Sequence, residues 1–507
     1  MKKLLGKIFN RAVVVVVLIV LQVVWLCGTF LGLADYAVWI NAAFTALSVL
    51  MVLLIDRKDL NPAYKIVWII LCCLAPLFGG MMYLMFGDKR PSRDMRRRME
   101  KSEAEHRGAL YQQPGITGQM EPRLASTAHY LERQGPYPAW DHTASAYFPL
   151  GDEMFVSMLA DLEHAERFIF LEYFLISEGE MWEKIYAVLR RKAESGVRVR
   201  LIYDDVGCVA ALPRNFFFNL EKNGIECLPF NPMLPVLALV MNHRDHRKML
   251  IVDGRIGYTG GINLADEYIN KKQRFGHWKD SGVRLEGAAV WNMTVAFLNL
   301  WNAFRPTDLD YEGFRPACGG VPLPETDGIV QPYMDSPLDE ELLSENVYLD
   351  ILAQAQQSVY IFTPYLIIDN EMATALRLSA KRGVDVRIVT PGIPDKRLVY
   401  RLTRSYYAPL LRDGVRIYEY TPGFLHAKSF VSDGRRAVVG TINLDYRSLY
   451  LHFECGVLFD GGPVVRALSE DCRDTFACSR EVTLRDCRTG FFGSLFDDVL
   501  RLLSPLL

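Results

Sequence analysis

Apolar residues dominate the first ninety positions of the chain and recur later in shorter runs. Uncharged apolar runs cover residues 12–33, 36–55 and 66–86. Each run has about the 20 residues that a helix needs to cross the hydrocarbon layer of a membrane. The pattern predicts a membrane anchor of two or three hydrophobic helices at 1–90, followed by a basic, polar linker at 91–130.

Basic residues beside the runs leave the number of crossings open. One group lies at 2–11, before the first run, and a denser group lies at 89–101, after the third. Positively charged loops stay on the cytoplasmic side, so an even number of crossings keeps both groups there. One of the three runs is then re-entrant or interfacial, and the third, interrupted by Pro76 and Gly79-Gly80, is the candidate. If all three runs cross, the catalytic part lies outside; we favour the cytoplasmic face.

Beyond residue 140 the pattern changes to alternating strands and helices. The first series is a helix at 153–162, a strand at 168–176, a helix at 181–193 and a strand at 196–203. The second series is a strand at 359–367, a helix at 371–380 and a strand at 383–389. This alternation predicts an α/β fold in which helices cover the faces of a sheet.

The two series indicate a duplicated domain, because the strands that begin at Gly196 and Gly383 are separated by 187 residues. We place the first domain at 131–310 and the second at 341–507, joined by a Pro- and Gly-rich linker at 311–340. The second domain ends in a predicted amphipathic helix, with apolar residues at Phe492, Leu495, Phe496, Val499, Leu500 and Leu503. That helix packs on the core or lies on a membrane surface.

One polar pattern occurs in both halves, in the form H-x-K-x4-D followed by G-[GT]-x-N. The first copy contains His246, Lys248, Asp253 and Asn263, and the second contains His426, Lys428, Asp433 and Asn443. Side chains two positions apart project from the same face of a strand. Each copy therefore places an imidazole beside an ammonium group, an arrangement that suits a phosphate ester.

Composition narrows the function further. The net charge of −2 and the pI near 6.5 argue against a nucleic-acid binder, which is usually strongly basic. The ten cysteines contain no C-x-x-C pair, so they are expected to be reduced structural thiols. We predict no metal site and no cofactor.

With the paired motifs, the duplication and the anchor, the chain resembles the phospholipase D superfamily and, more narrowly, the bacterial cardiolipin synthases. The narrower resemblance rests on stretches that include Tyr203-Asp-Asp-Val-Gly207, Trp278-Lys-Asp280 and Asn443-Leu-Asp-Tyr-Arg-Ser448. Two positions depart from the family pattern: His452 stands where Asn is expected before Phe-Glu, and Lys279 stands where Arg is commoner.

The resemblance implies two α/β sandwich domains that share one active site and a metal-free, two-step transfer through a phosphohistidine. His246 is the expected nucleophile and His426 the expected acid and base. The opposite assignment of the two roles is the alternative. By the same resemblance, Lys248, Lys428, Asn263 and Asn443 hold the phosphate oxygens.

Four acidic residues complete the predicted site. Asp280 and Glu454 follow the histidines of their own halves by 34 and 28 residues, and the resemblance makes them the carboxylates that orient the imidazoles. Asp253 and Asp433 belong to the catalytic motifs, yet each precedes a glycine, which is typical of a hairpin turn.

The predicted function is that of a cardiolipin synthase, which joins two phosphatidylglycerols to give cardiolipin and glycerol. A membrane-bound phospholipase D hydrolase, or a phosphatidyltransferase with another alcohol acceptor, is the alternative. The expected partners are phosphatidylglycerol, other anionic phospholipids and the bacterial inner membrane, not nucleic acid. An inactive lipid-binding scaffold is disfavoured, because both H-K-N sets are intact.

Overall fold

The computed structural model describes residues 34–87, 92–110, 115–232, 242–308, 310–316 and 328–506, with single positions 20, 23 and 27. The described residues fall into two compact units. One is built from the N-terminal helices with the last residues of the chain, and the other from most residues between 93 and 497.

The N-terminal unit contains helices α1 (Ala34–Asp56), α2 (Pro62–Leu74) and α3 (Pro76–Phe86). Both α2 and α3 begin with proline, whose fixed φ and missing N–H suit the first helical position. The third apolar run is therefore divided at Pro76, and the two pieces form separate helices. The side chains of Met51, Tyr64 and Trp68 lie in the apolar core of this unit.

The described residues do not confirm the predicted membrane-spanning helices. The run at 36–55 forms α1, a continuous helix of 23 residues, whereas the run at 12–33 falls outside the described residues apart from single positions. Among the helices in the described part of the chain, none is both long and apolar enough to cross a membrane.

The predicted linker at 91–130 contains helices α4 (Arg93–Glu105) and α5 (Pro122–Gln134). Met95, Met99 and Ser102 are buried along one side of α4, and the Ser102 hydroxyl donates to the carbonyl of Asn299 at 2.9 Å. These contacts make α4 part of the second unit and not only a linker. The many basic residues of α4 conceal its narrow apolar face in the sequence.

The first half of the second unit forms a seven-stranded sheet in the order β1-β8-β6-β5-β2-β3-β4. Its elements are β1 (Thr143–Phe148), α6 (Gly151–Glu163), β2 (Phe168–Tyr173), α7 (Glu180–Glu194), β3 (Arg198–Asp204), α8 (Asp205–Cys208), α9 (Phe216–Lys222), β4 (Ile225–Phe230), β5 (Lys248–Val252), β6 (Ile256–Gly260), β7 (His277–Lys279), β8 (Gly282–Gly287) and α10 (Val290–Phe304).

Strand β2 shows why this sheet forms, because it is buried on both faces. Ile169 and Leu171 point into one apolar cluster with residues of α6 and α7. On the opposite face, Phe170 stacks on Phe297 of α10, with the ring centroids 4.5 Å apart.

The second half forms an eight-stranded sheet in the order β19-β13-β12-β10-β15-β16-β18-β9. Its elements are β9 (Ile329–Asp335), α11 (Leu343–Gln354), β10 (Ser358–Phe362), β11 (Leu366–Ile367), α12 (Asn370–Lys381), β12 (Asp385–Pro391), α13 (Arg397–Ser405), α14 (Tyr407–Arg412), β13 (Arg416–Tyr420), β14 (Gly423–Leu425), β15 (Ser429–Ser432), β16 (Arg436–Gly440), β17 (Leu444–Asp445), α15 (Tyr446–Tyr450), β18 (Glu454–Asp460), α16 (Gly462–Ala477) and β19 (Ser479–Glu481). Helix α17 (Phe491–Leu503) follows, as predicted.

The two sheets share one topology, which confirms the duplicated α/β domain. In the first, β2, β3 and β4 run parallel and β5 pairs antiparallel with β2. In the second, β10, β12 and β13 run parallel and β15 pairs antiparallel with β10. In both sheets, the strand that follows the histidine motif, β5 or β15, therefore lies in the middle of the sheet.

Strand β9 lies within the predicted linker at 311–340. It pairs antiparallel with β18 along its whole length, from Ile329 with Asp460 to Asp335 with Glu454. Pro332 is tolerated because β9 is the edge strand of the sheet. The proline and the lack of alternation conceal this strand in the sequence.

A buried acidic pair in the second half gives a pH-dependent stability prediction. Burial raises the pKa of Glu345 to about 9, and the negative charge of neighbouring Asp369 adds to the shift. The unfolded chain loses this proton near the ordinary pKa of 4.5, so stability falls as the pH rises from there towards 9. We expect Glu345→Gln to raise the unfolding temperature at pH 8 but not at pH 4. Thermal unfolding at both pH values, with the exposed Glu340→Gln as control, tests this; equal effects of both substitutions would contradict it.

Candidate active site

His246 lies two residues before the central strand β5 and His426 three residues before β15. Each histidine is fixed by a backbone hydrogen bond to the other half. The N–H of His246 donates to the carbonyl of Phe453 at 2.9 Å, and that of His426 donates to the carbonyl of Lys279 at 2.7 Å. Both side chains are 10% exposed. The two halves therefore build one centre together.

The orienting carboxylates cross between the halves. His246 Nδ1 lies 2.9 Å and 3.0 Å from the two carboxylate oxygens of Glu454, and His426 Nδ1 lies 2.7 Å from Asp280 Oδ2. The expectation that each carboxylate serves the histidine of its own half is therefore wrong.

Local strand pairing explains the exchange. Strand β7 of the first half pairs in parallel with β14 of the second, which aligns Lys279 with Leu425 just before Asp280 and His426. In the opposite direction, Asp245 forms a bridge with Phe453, next to His246 and Glu454. Because each carboxylate occupies Nδ1, the Nε2 atom of each ring is left to react.

Hydroxyl groups that the sequence interpretation did not single out support Glu454. Thr441 and Ser448 both donate hydrogen bonds to its carboxylate, which is fully buried. In the first half, Gly261 replaces Thr441, and a Cβ there would lie 2.0 Å from Asp280 Oδ1. The G-[GT] difference between the motifs was the available signal: the glycine admits Asp280 and the threonine supports Glu454.

The motif lysines are fixed beside the histidines in a dry environment. Lys248 Nζ donates to the carbonyl of His246 at 2.5 Å, and Lys428 Nζ donates to that of His426. Burial lowers the pKa of Lys248 to about 8 and that of Lys428 to about 7. An entering phosphate would stabilise both ammonium groups, since opposite charges attract strongly where water is excluded.

The same environment keeps both imidazoles neutral near pH 7. Burial and the adjacent Lys248 hold the pKa of His246 well below its usual range. Burial and Lys428 lower the pKa of His426 to about 4, although Asp280 opposes that shift. Lys428 also lowers the pKa of His246, so charges from both halves act on one centre. Each ring can therefore offer a lone pair at Nε2.

The two motif asparagines differ in their contacts. Asn443 Oδ1 is buried without a hydrogen-bond partner among the described residues. Asn263 instead accepts from the N–H of Leu175 at 3.1 Å and donates to the Tyr268 hydroxyl at 2.7 Å. The Asn263 amide therefore already has two protein partners, whereas the Asn443 oxygen has none among the described residues. Phosphate binding by both asparagines stays a prediction.

Asp253 and Asp433 make structural contacts, and their inclusion among the catalytic residues stays a prediction. Asp253 accepts from the backbone N–H groups of residues 166, 167 and 168 at 2.7–2.9 Å. Asp433 does the same for residues 356, 357 and 358. Both aspartates have φ of +54°, as the expected turn requires, and both carboxylates fasten the strand that lies beside the motif strand.

We expect Asp253→Ala to destabilise the protein without removing its chemistry. Three backbone N–H groups lose their acceptor, but those of residues 166 and 167 are exposed to water. The partly buried N–H of residue 168 therefore accounts for most of the cost, about 1–3 kcal/mol. Thermal unfolding should show the loss, while activity per folded molecule at low temperature stays within about threefold of wild type, because the carboxylate supplies no group to catalysis. Asp266→Ala, which removes a carboxylate that also accepts from backbone N–H groups, is the matched control. A hundredfold loss of activity in a fully folded Asp253→Ala protein would restore the catalytic assignment.

Lys279, one of the two departures from the family pattern, forms an ion pair with Asp471 of α16 at 2.6 Å. Asp471 also accepts from the Tyr147 hydroxyl at 2.7 Å. Lys279 and Tyr147 belong to the first half and Asp471 to the second, so these contacts hold the two halves together next to Asp280.

Comparison with known proteins identifies the family. A family model described as "Cardiolipin synthase, PLD-like domain" matches residues 158–278 and 348–475, one segment in each half. A second, described as "Phospholipase_D-nuclease N-terminal", matches residues 42–87. A cardiolipin synthase of Geobacillus kaustophilus is 33% identical over 489 residues and is covered, like this chain, to 95%. The chain belongs to the cardiolipin synthase family.

Further relatives agree over nearly the full length. A cardiolipin synthase of Halalkalibacterium halodurans is 31% identical over 512 residues, which cover 98% of this chain and 100% of the relative. An uncharacterized protein of Streptococcus mutans is 41% identical over 460 residues, 90% of this chain and 99% of its own. Membership of the cardiolipin synthase family confirms the predicted enzyme class, a phosphatidyltransferase of the phospholipase D superfamily.

A solved structure shares the fold. The crystal structure of phosphatidylserine synthase from Haemophilus influenzae superposes with a TM-score of 0.58, at 14% identity, and covers 76% of this chain and 100% of that one. At that identity the likeness concerns the fold alone, the duplicated α/β domain.

Proposed function

We propose that this cardiolipin synthase transfers a phosphatidyl group from one phosphatidylglycerol to another through a phosphohistidine, giving cardiolipin and glycerol. The observation that carries the proposal is the pair of buried imidazoles, each held through Nδ1 by a carboxylate of the opposite half. Such a pair supplies a nucleophile and a separate proton carrier.

In the first step, the Nε2 lone pair of His246 attacks phosphorus and the bond from phosphorus to the glycerol oxygen breaks. Protonated His426 gives its Nε2 proton to that oxygen, and free glycerol leaves. The lone pair has become a P–N bond, so the phosphatidyl group is held covalently on His246 until the second step.

Protonation of His426 depends on the substrate. Without ligand, burial and the positive charges of the two lysines hold the pKa of His426 low. The phosphodiester brings a negative charge that offsets Lys248 and Lys428, and Asp280 stabilises the imidazolium that results. Substrate binding therefore prepares the acid that the first step needs.

In the second step, the terminal glycerol hydroxyl of another phosphatidylglycerol gives its proton to neutral His426 and its oxygen attacks phosphorus. The P–N bond breaks and His246 recovers its lone pair. The lysines and Asn443 hold the non-bridging oxygens during both displacements, since fixed donors stabilise developing charge in a water-poor site.

We also propose that the N-terminal helices and α17 hold the enzyme at the bacterial cell membrane, with the catalytic unit on the cytoplasmic side. Trp39 of α1 is 80% exposed, and Phe491 and Phe492 of α17 are 78% and 83% exposed. Large apolar side chains at such exposure suit contact with lipid.

A product assay tests the chemistry. Purified full-length protein in phosphatidylglycerol vesicles, with EDTA present, should release glycerol and cardiolipin in equal amounts. Phosphatidic acid as the main product would show that water resolves the intermediate and that the enzyme is a hydrolase. Phosphatidyl esters formed only with an added alcohol would show a different acceptor.

A further inference from the structure

The rings beside the two catalytic histidines occupy equivalent places in the duplicated fold but differ in chemistry. Trp278 lies two residues before Asp280, and its ring centroid is 5.5 Å from that of His426. His452 lies two residues before Glu454, and its centroid is 5.4 Å from that of His246. The second half therefore places a ring with two possible ligand nitrogens where the first half places an indole.

Packing alone does not account for His452. Both of its ring nitrogens are buried without a hydrogen-bond partner among the described residues, and its Nδ1 lies 3.7 Å from Glu454 Oε1, too far for a hydrogen bond. A buried polar group without a partner is costly. The Trp278 N–H also has no partner in the part of the chain that the structure describes, but an indole cannot coordinate an ion, whereas an imidazole can.

His246, His452 and Glu454 together offer a set of metal ligands. One ligand atom from each residue lies within 4.8 Å of the other two. Two imidazoles and a carboxylate form the three-ligand set of open zinc sites, whose tetrahedral geometry, with bonds of 2.0–2.2 Å, needs ligand atoms about 3.4 Å apart. The ligand atoms would have to approach by up to about 1.4 Å, through rotation about the side-chain bonds of His452 and Glu454.

We propose that His246, His452 and Glu454 form an inhibitory site for a Zn²⁺-like divalent transition-metal ion. The ion takes the place of the hydrogen bond between His246 and Glu454, so the nucleophile is no longer oriented by its carboxylate. If Nδ1 becomes the ligand, the ring proton moves to Nε2, which removes the lone pair that would attack phosphorus. The inhibitory part rests on the proposed function; the binding part does not.

Direct zinc binding separates the two parts. We would titrate Zn²⁺ into full-length detergent-solubilised protein in competition with a chromogenic chelator. Wild type should bind one ion, and His452→Asn, which introduces the residue of the family pattern, should weaken binding at least about tenfold. His164→Asn, which removes an exposed surface histidine, should bind as wild type does. Thermal unfolding checks that each variant folds, and His452→Gln replaces the asparagine variant if that one does not.

The outcomes are distinct. Unchanged zinc affinity in a folded His452 variant, or no binding by wild type, overturns the proposal. In the lipid assay, Zn²⁺ should inhibit wild type, EDTA should restore it, and His452→Asn should need at least about tenfold more zinc for the same inhibition. Equal zinc sensitivity of the two proteins overturns inhibition through this site. Binding that depends on His452 in a protein that makes no cardiolipin with EDTA would instead disprove the proposed function alone.

Discussion

Replacing His246 or His426 with asparagine should reduce cardiolipin formation by at least about 10⁴-fold, because members of a nucleophile and acid–base pair act as one unit. Asparagine preserves a polar side chain of moderate size but offers neither an attacking lone pair nor a titrating nitrogen. Glycerol and cardiolipin release from phosphatidylglycerol vesicles measures the loss. His164→Asn, on the exposed end of α6, should retain wild-type activity.

The same variants decide which histidine carries the lipid. If His246 is the nucleophile, His426→Asn can still form the P–N bond slowly. Mass spectrometry of proteolytic digests prepared without acid should then find a phosphatidyl adduct on His246. His246→Asn should then show no adduct on His426. The reverse pattern would exchange the two roles. Activity above about one hundredth of wild type in His246→Asn would contradict covalent catalysis by this ring.

The two histidines that the structure brings together were predictable from sequence because they stand at the same offsets in two copies of one motif. The strand assumed for each pair begins later than predicted, since His246, His426 and Lys428 precede β5 or β15 and Lys248 is the first residue of β5. The repeated lag then predicted the two matching sheets. The repeated motif and the duplication were sufficient for these parts.

The pairing of histidine and carboxylate was not predictable, since it depends on the register between halves. Asp280 is separated from His426 by 146 residues and Glu454 from His246 by 208. Only the ladder between β7 and β14 and the bridge of Asp245 with Phe453 place them in contact. The resemblance implied one active site shared by the two halves, but it did not show that each half supplies the carboxylate for the histidine of the other.

The elements missed at the edges have a different cause. β9 carries Pro332 and α4 is mostly basic, so neither shows the usual apolar period. Each is defined by its partner: β9 by its full pairing with β18, and α4 by three buried positions against α10. Weakly patterned segments of this kind become regular only when a neighbouring element supplies the missing contacts.

Crosswise pairing predicts different kinetic defects for Glu454→Gln and Asp280→Asn. An amide in place of Glu454 can donate to Nδ1 of His246, which moves the ring proton to Nε2 and removes the attacking lone pair. The expected loss is about 10²–10⁴-fold, and it falls on the first step, as for other carboxylates that fix a catalytic tautomer. Asp280→Asn should weaken the imidazolium form of His426 and so slow both proton transfers. The pH dependence should differ as well, because only Asp280→Asn removes the charge that raises the pKa of His426.

Rapid-quench measurement of the glycerol burst against steady-state cardiolipin formation separates the two defects. Glu454→Gln should slow the burst to the steady-state rate, whereas Glu454→Asp, which retains the charge at a longer distance, should recover part of it. If Asp280→Asn alone suppressed attack by His246 and Glu454→Gln left the burst intact, the carboxylates would serve the histidines of their own halves during turnover. The exchange would then be a feature of the resting enzyme only. If Glu454→Gln slows the burst and Asp280→Asn slows the proton transfers, as expected, each step needs residues from both halves. This dependence explains why the two domains remain in one chain, with strands of one half paired with strands of the other.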